Sequence, residues 1–235
     1  RGIRGVLVGP RWFEEPEIAL DWSAYSCVLV GETTYGAGIY RVCNHHPQTM
    51  ELALTSLVGL GYKRIGIELM SNYESVRHFD LLAGVSPARH TVSRSARFFE
   101  RFTPRRTIPG IEKVPPEARN EFSRVYDNTH EIPKLARWIH RERLDALVTL
   151  HGYDPNELRR IPTASGYPLG YARLEVQPDE NCAGINQHME DIGRTGMEML
   201  RGLLHAGERG VVPRPRIVLV EGEWVDGPTA PRLKG

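Results

Sequence analysis

An α/β fold built on mostly parallel strands is the architecture this chain predicts. Three observations predict it. Strand-like and helix-like segments alternate at the spacing of βα units. The strand-like runs are short, β-branched or aromatic, and bounded by Gly, Asn and His. With 235 residues, 40% hydrophobic and 25% charged, the chain has the composition of a globular protein that buries a real core. Strand, helix, strand in series implies parallel pairing, and this many βα units implies two sheets or one large one.

In order, Ile3 to Val8 reads as a buried strand, and Cys27 to Val30 and Tyr40 to Cys43 as two more. From Pro47 to Leu60, Met50, Leu54, Leu57 and Val58 fall at i, i+4, i+7 and i+8, with Pro47 suited to the first turn and Gly59 or Gly61 to the stop. This is an amphipathic helix. Arg64 to Leu69 is a strand, followed by a turn at Ser71-Asn72 and a helix from Glu74 to Ala83. The proline-rich middle, Ser86 to Arg119, is given a helix at about Ser93 to Phe102 and a strand near Thr107 to Val114. Ile132, Leu135, Ala136 and Ile139 make the next helix, and Leu144 to Leu150 the buried strand after it. A short helix at Pro155 to Arg160 leads to the strands Tyr171 to Val176 and Ala183 to Ile185. A long helix then places Ile192, Gly196, Met199, Leu200 and Leu203 on one face, and Arg216 to Glu221 is the last strand.

Composition removes several function classes. The net charge is +1, so no global excess argues for nucleic acid or an acidic lipid surface. No apolar run approaches the roughly 18 residues of a membrane span, and Arg1 to Gly5 is not a signal-peptide start, which together predict a cytoplasmic protein without membrane contact. Cys27, Cys43 and Cys182 lack CxxC spacing and read as reduced, buried thiols. Because the first residues already read as a strand, the sequence looks like a fragment of a longer protein.

Neither GxGxxG nor GxxxxGK[ST] occurs, so nucleotide hydrolysis by a P-loop is excluded. His45-His46 lacks a partner at metal-ligand spacing and reads as a helix entry; no metal and no cofactor is expected. Cys43 near His45 shows no oxyanion site, and no Ser/His/Asp set or carboxylate pair assembles, so no catalytic residue is assigned. Arg94, Arg97 and Arg101, followed by Arg105 and Arg106, make the densest basic stretch. It reads as the wet side of a helix with Phe98, Phe99 and Phe102 beneath, or as a nucleic-acid patch.

Several stretches together resemble the LacI/GalR regulator family. These are Arg41-Val42-Cys43-Asn44, then Leu57-Val58-Gly59-Leu60-Gly61-Tyr62-Lys63-Arg64-Ile65-Gly66-Ile67, which is similar to the family's "LxxLGHxRIG". Leu144-Asp145-Ala146-Leu147-Val148, Ala183-Gly184-Ile185-Asn186-Gln187, the helix containing Ile192-Gly193, and Val218 to Val225 continue the likeness. The resemblance implies a type I periplasmic-binding-protein-like fold of two Rossmann-like lobes around an effector cleft. The N-terminal lobe would take 1–61 and 182–211 and the C-terminal lobe 62–181 and 212–235. It also implies a helix-turn-helix domain, a hinge helix, and a first strand and helix that this sequence lacks.

By position, Arg77 matches the family's effector-holding arginine, whose planar fork suits vicinal oxygens; the alternative is an exposed helix-start arginine. Glu175 falls where the family carries an effector-binding aspartate, with a longer side chain. Leu150-His151, followed by Gly152-Tyr153-Asp154, stands in place of the family's Asn-Asp. Arg11 and Trp12 follow the first strand; Trp12 either stacks on a sugar ring or packs the rim. The resemblance thus implies a non-enzymatic, homodimeric regulator that binds a small-molecule effector, a sugar, and reaches operator DNA through a domain outside these residues. The alternative is a solute-binding protein delivering a sugar to a transporter or sensor.

Overall fold

The computed structural model describes residues 2–10, 18–32, 38–70, 80–92, 96–103, 132–150 and 152–233. In chain order the elements begin with β1 (Gly5–Val8), β2 (Ser26–Val30), β3 (Tyr40–Asn44), α1 (His46–Gly59) and β4 (Arg64–Met70). Next come α2 (Asp80–Ala83), α3 (Val85–Thr91), β5 (Arg97–Thr103), α4 (Ile132–Glu142), β6 (Ala146–Thr149) and α5 (Pro155–Arg159). The chain closes with β7 (Gly170–Arg173), β8 (Ala183–Asn186), α6 (Met189–Ala206), β9 (Ile217–Val220) and β10 (Glu223–Val225).

These elements form two compact units, one of residues 1–45 and 187–222, the other of 46–186 and 223–235. The first holds a four-stranded sheet in the order β1-β2-β3-β9, parallel at every described pairing. Helix α6 covers one face, setting Ile192, Leu200 and Leu203 against Val28, Val30, Tyr40 and Val42. Glu190 and Asp191 in its first turn suit the positive end of the helix dipole, and Gly207, at φ 68°, closes its last turn in the left-handed conformation that glycine adopts freely. Cys27, Leu29 and Ile39 pack the other face with Leu20, Trp22 and Tyr25.

The second unit holds a six-stranded sheet, β10-β8-β7-β6-β4-β5, parallel except for β10, which runs antiparallel to β8. On one face Met50, Ala53, Leu54 and Leu57 of α1 join Ile65, Ile67 and Leu69; on the other, Leu135, Trp138 and Ile139 of α4 join Leu144, Leu147 and Tyr171. The C-terminal segment is stitched to this unit. Buried Thr229 accepts from the Ala183 amide at 2.8 Å and donates to the Tyr171 carbonyl at 2.7 Å, while the Tyr62 hydroxyl donates to the Pro231 carbonyl at 2.9 Å.

Two features differ from the sequence-based expectation. Arg97–Thr103 is a strand and not a helix: β5 pairs with β4 from Arg64↔Arg97 to Met70↔Thr103. Phe98 faces the α1 and α3 layer and Phe99 the α4 layer, so an aromatic run covered on both sides satisfies its backbone in a ladder. The reading of Arg97 and Arg101 as one wet helical face therefore falls, and Arg94, Arg105 and Arg106 lie outside the described residues. Before β5 stands α3, unforeseen because Pro87 reads as a breaker; it is the helix's third residue, where the missing N–H has no intrahelical partner to lose.

The partition also differs from the lobes implied by resemblance. Helix α1 packs on α2, α3, β8 and β10 and so joins the second unit, while β9 pairs with β3 and joins the first. The expected strand near Thr107 to Val114 and the first part of the helix from Glu74 lie outside the described residues.

Candidate functional site

In parallel α/β sheets, ligands sit beyond the carboxyl ends of the strands, so the site is built outward from there. In the second unit, the register brings four polar residues into one row near those ends. Arg101 on β5 pairs with Glu68 on β4, Glu68 with Thr149 on β6, and Thr149 with Arg173 on β7. Residues level in adjacent strands point to the same face, so the row crosses the sheet as a polar belt.

Glu68 is its centre. Its side chain is 0% exposed, which a carboxylate tolerates only when its oxygens are met by donors or cations. Arg101 Nη1 lies 3.0 Å from Oε1, and the Tyr153 hydroxyl donates to Oε2 at 2.7 Å. The Arg101 guanidinium also lies over the Trp138 ring, 5.7 Å from its centroid. Burial pushes the Tyr153 phenol far above its usual range, and the negative charge of Glu68 and the hydrogen bond to it add to the shift, so Tyr153 stays neutral and donating. Its amide donates to the Tyr171 hydroxyl at 3.2 Å, and burial likewise raises the Tyr171 phenol.

At the other end of the row, Arg173 Nη1 lies 2.6 Å from Glu180 Oε2. Burial is the largest influence and works against the Arg173 charge, but Glu180, Tyr171 and Cys182 together outweigh it and the net shift is upward. This pair braces the segment after β7, where Glu175 stands in a bend with its side chain exposed. Asp154 caps α5 by accepting from the Asn156 amide at 2.8 Å, with Pro155 at the first helical position. The loop from β6 to α5 is therefore held at Tyr153 by its side chain and amide, and at Asp154 by the helix it starts.

The sequence-predicted residues distribute unevenly. Glu175 is exposed after β7, and Tyr153 is buried at 6%, its phenol committed to Glu68. His151, Arg77, Arg11 and Trp12 lie outside the described residues. In the first unit, the carboxyl end of β3 carries Asn44, which donates to the Val220 carbonyl at 3.3 Å, and His45, whose Nδ1 lies 4.0 Å from Glu221. All three cysteines are buried and unbridged, and burial raises the Cys27 and Cys182 thiols, the direction of inert core groups. Among the described residues, no group of three His, Cys, Asp or Glu could hold a metal, and no helix is long and apolar enough to cross a membrane.

Sequence reasoning does not single out Glu68 or Thr149, and it takes Arg101 only as part of a basic stretch. One signal was present: in Arg64-Ile65-Gly66-Ile67-Glu68-Leu69 a carboxylate interrupts a strand that must be buried on both faces, and such a group requires a partner.

No protein-family model and no curated protein sequence matches the chain. Solved structures do. A LacI transcriptional regulator from Lactobacillus brevis superposes with a TM-score of 0.60 at 13% identity, covering 95% of this chain and 79% of that one. A LacI family transcriptional regulator from Enterococcus faecalis V583 with bound ribose gives 0.60 at 11% identity, over 100% and 80% of the two chains. A periplasmic binding protein/LacI transcriptional regulator from Alkaliphilus metalliredigens QYMF, complexed with D-xylulofuranose, gives 0.56 at 11% identity, over 94% and 76%. The fold is thus that of LacI-family regulators and periplasmic-binding-protein-like domains: mixed α/β, mostly parallel.

Proposed function

We propose that this chain is the effector-sensing domain of a LacI-type transcriptional regulator, that its effector is a sugar, and that it works as a homodimer in the cytoplasm. The observation that carries the reading is the likeness of the whole chain, at 100% coverage, to a regulator solved with ribose. The sequence resemblance supports it independently, because Arg77, His151 and Glu175 fall in or beside segments that lead away from strand carboxyl ends, where such a fold takes its ligand. A guanidinium supplies donors only and a carboxylate acceptors only, a pairing suited to a neutral ligand rich in hydroxyls.

The mechanism is a shift between two conformations. A sugar that binds one better raises its population, and the dimer passes that preference to DNA-reading domains carried elsewhere in the protein. A coupling of roughly 1–3 kcal/mol, about 5- to 150-fold in operator affinity, suffices. The test is fluorescence anisotropy of the complete gene product on DNA from its own upstream region, titrated with pentoses, hexoses and disaccharides. The reading expects one sugar to change the operator affinity by at least about 5-fold. DNA binding indifferent to every sugar, or a gene product with a secretion signal and no DNA-binding domain, defeats it; the latter would make the chain a solute-binding protein.

A further inference from the structure

Strand β9 forms one edge of the four-stranded sheet, and among the described residues no strand lies on its outer side. We propose that this edge joins the two copies of the homodimer: β9 pairs antiparallel with β9 of a second copy, about a two-fold axis at Val218. The inference rests on the homodimer of the proposed function and adds the surface that makes it.

The edge is apolar and unguarded. Ile217-Val218-Leu219-Val220 holds no charge and no proline, the devices with which sheet edges ordinarily turn away a further strand. Val218 and Val220 pack toward α6, whereas Ile217 and Leu219 point to the other face and are 59% and 48% exposed. A second strand laid beside them takes that apolar surface out of water.

The backbone selects how two copies fit. Arg41 and His45 donate their amides to the carbonyls of Arg216 and Val220, at 3.1 and 2.8 Å, so the even-numbered residues of β9 turn their peptide groups toward β3. The peptide groups of Ile217, Leu219 and Glu221 therefore face the open edge. A two-fold axis at Ile217 sets Leu219 against the partner's Pro215, which has no N–H to give, and an axis at Leu219 sets Ile217 against the partner's Glu221. With the axis at Val218, Ile217 and the partner's Leu219 exchange both amide bonds, and so do Leu219 and the partner's Ile217. Four apolar side chains then meet on one face.

Charge agrees with this register. Arg214 and Arg216 are exposed before the core of the strand, and Glu221, with a side chain 72% exposed, follows it. Antiparallel pairing brings Glu221 level with the partner's Pro215, between the partner's Arg214 and the partner's Arg216, at both ends of the ribbon. Within one copy, Arg216 lies 5.1 Å from the centroid of the Tyr40 ring and Glu221 4.0 Å from His45 Nδ1. Both are weaker partners than a guanidinium meeting a carboxylate. The pairing consumes both β9 edges, so it closes on a dimer and not on a fibre.

The experiment is sedimentation equilibrium of the protein and of the variants Ile217→Lys, Leu219→Lys and, as an exposed apolar residue of α6, Met197→Lys, with cysteine crosslinking beside it. The expected result is a dimer that each β9 lysine weakens by at least about 10-fold and that Met197→Lys leaves unchanged. All three replaced side chains are exposed, so unchanged circular dichroism is expected of the variants. In a non-hydrogen-bonded antiparallel pair the Cα atoms stand about 4.5 Å apart, within reach of a disulfide. Val218→Cys should therefore crosslink two copies on mild oxidation, while Leu219→Cys, opposite the partner's Ile217, should not. The native cysteines are buried and stay out of the reaction. A monomer at every concentration overturns the homodimer and this proposal together. A dimer indifferent to both β9 lysines, dissociated equally by Met197→Lys, or not crosslinked by Val218→Cys overturns the proposal alone and leaves the homodimer standing.

Discussion

Glu68→Gln tests the polar belt at its centre. The substitution preserves shape and leaves an acceptor for the Tyr153 hydroxyl, but removes the charge opposite Arg101. The Glu68 side chain is 0% exposed and that of Arg101 is 16% exposed, so the cation left behind reaches water only along one edge. Breaking a buried pair by removing one partner costs roughly 3–5 kcal/mol. The partial exposure of Arg101 and its position over Trp138 place this case near the lower end, at about 3 kcal/mol. Tyr153→Phe removes the 2.7 Å bond and leaves Oε2 one donor short, which should cost about 2 kcal/mol. The double variant Glu68→Met/Arg101→Met removes both charges and restores an apolar contact, so it should lose less than Glu68→Gln alone. Urea unfolding followed by tryptophan fluorescence, with Trp138 beside the belt, gives all three values. A loss below about 0.5 kcal/mol in Glu68→Gln, or a double variant that loses as much as Glu68→Gln or more, would refute the coupling.

Two further outcomes follow from the same packing. A Cβ at Gly66 would stand 2.6 Å from Leu144 Cδ1 and 2.7 Å from Trp138 Cη2, so Gly66→Ala should cost about 1–3 kcal/mol by overpacking and shift tryptophan emission; a neutral variant would show that α4 does not lie against β4. Burial, and secondarily the charge of Asp145, pushes the Tyr62 phenol up to about 12. The unfolded value is about 10, so the contribution of Tyr62 is complete below that pH and is lost as pH rises toward 12, a decline of roughly 2 kcal/mol. Tyr62→Phe should flatten that decline in urea midpoints measured from about pH 9 upward, and an unchanged slope would place the titration elsewhere.

How far the sequence revealed this structure depends on what each residue had to satisfy. Runs such as Cys27 to Val30 and Ala146 to Thr149 are buried on both faces and admit one reading, as does α6 with its apolar face and Gly207 stop. Phe98 to Phe102 failed because an aromatic run suits a helix flank and an edge strand alike; only the ladder with β4 decides between them. The placement of α1 with the second unit is likewise a tertiary fact, since its apolar face fits either layer. Glu175 and Tyr153, two of the residues proposed to meet the effector, are legible in the sequence as residues that follow strands. The row Arg101, Glu68, Thr149, Arg173 is not, because it exists only across four strands distant in sequence. Only the carboxylate inside an apolar strand announced it.

The proposed function requires a sugar to be bound by residues leading away from the strand ends. Calorimetry of the intact protein with the sugar that alters operator binding, repeated on Arg77→Ala and Glu175→Ala, tests it most directly. Each variant should weaken binding by roughly 1.5–3 kcal/mol, about 10- to 150-fold, the range for hydrogen bonds to charged groups, with no fall in the melting temperature of the free protein. Unchanged affinity in both variants would place the effector on other residues and contradict the claim.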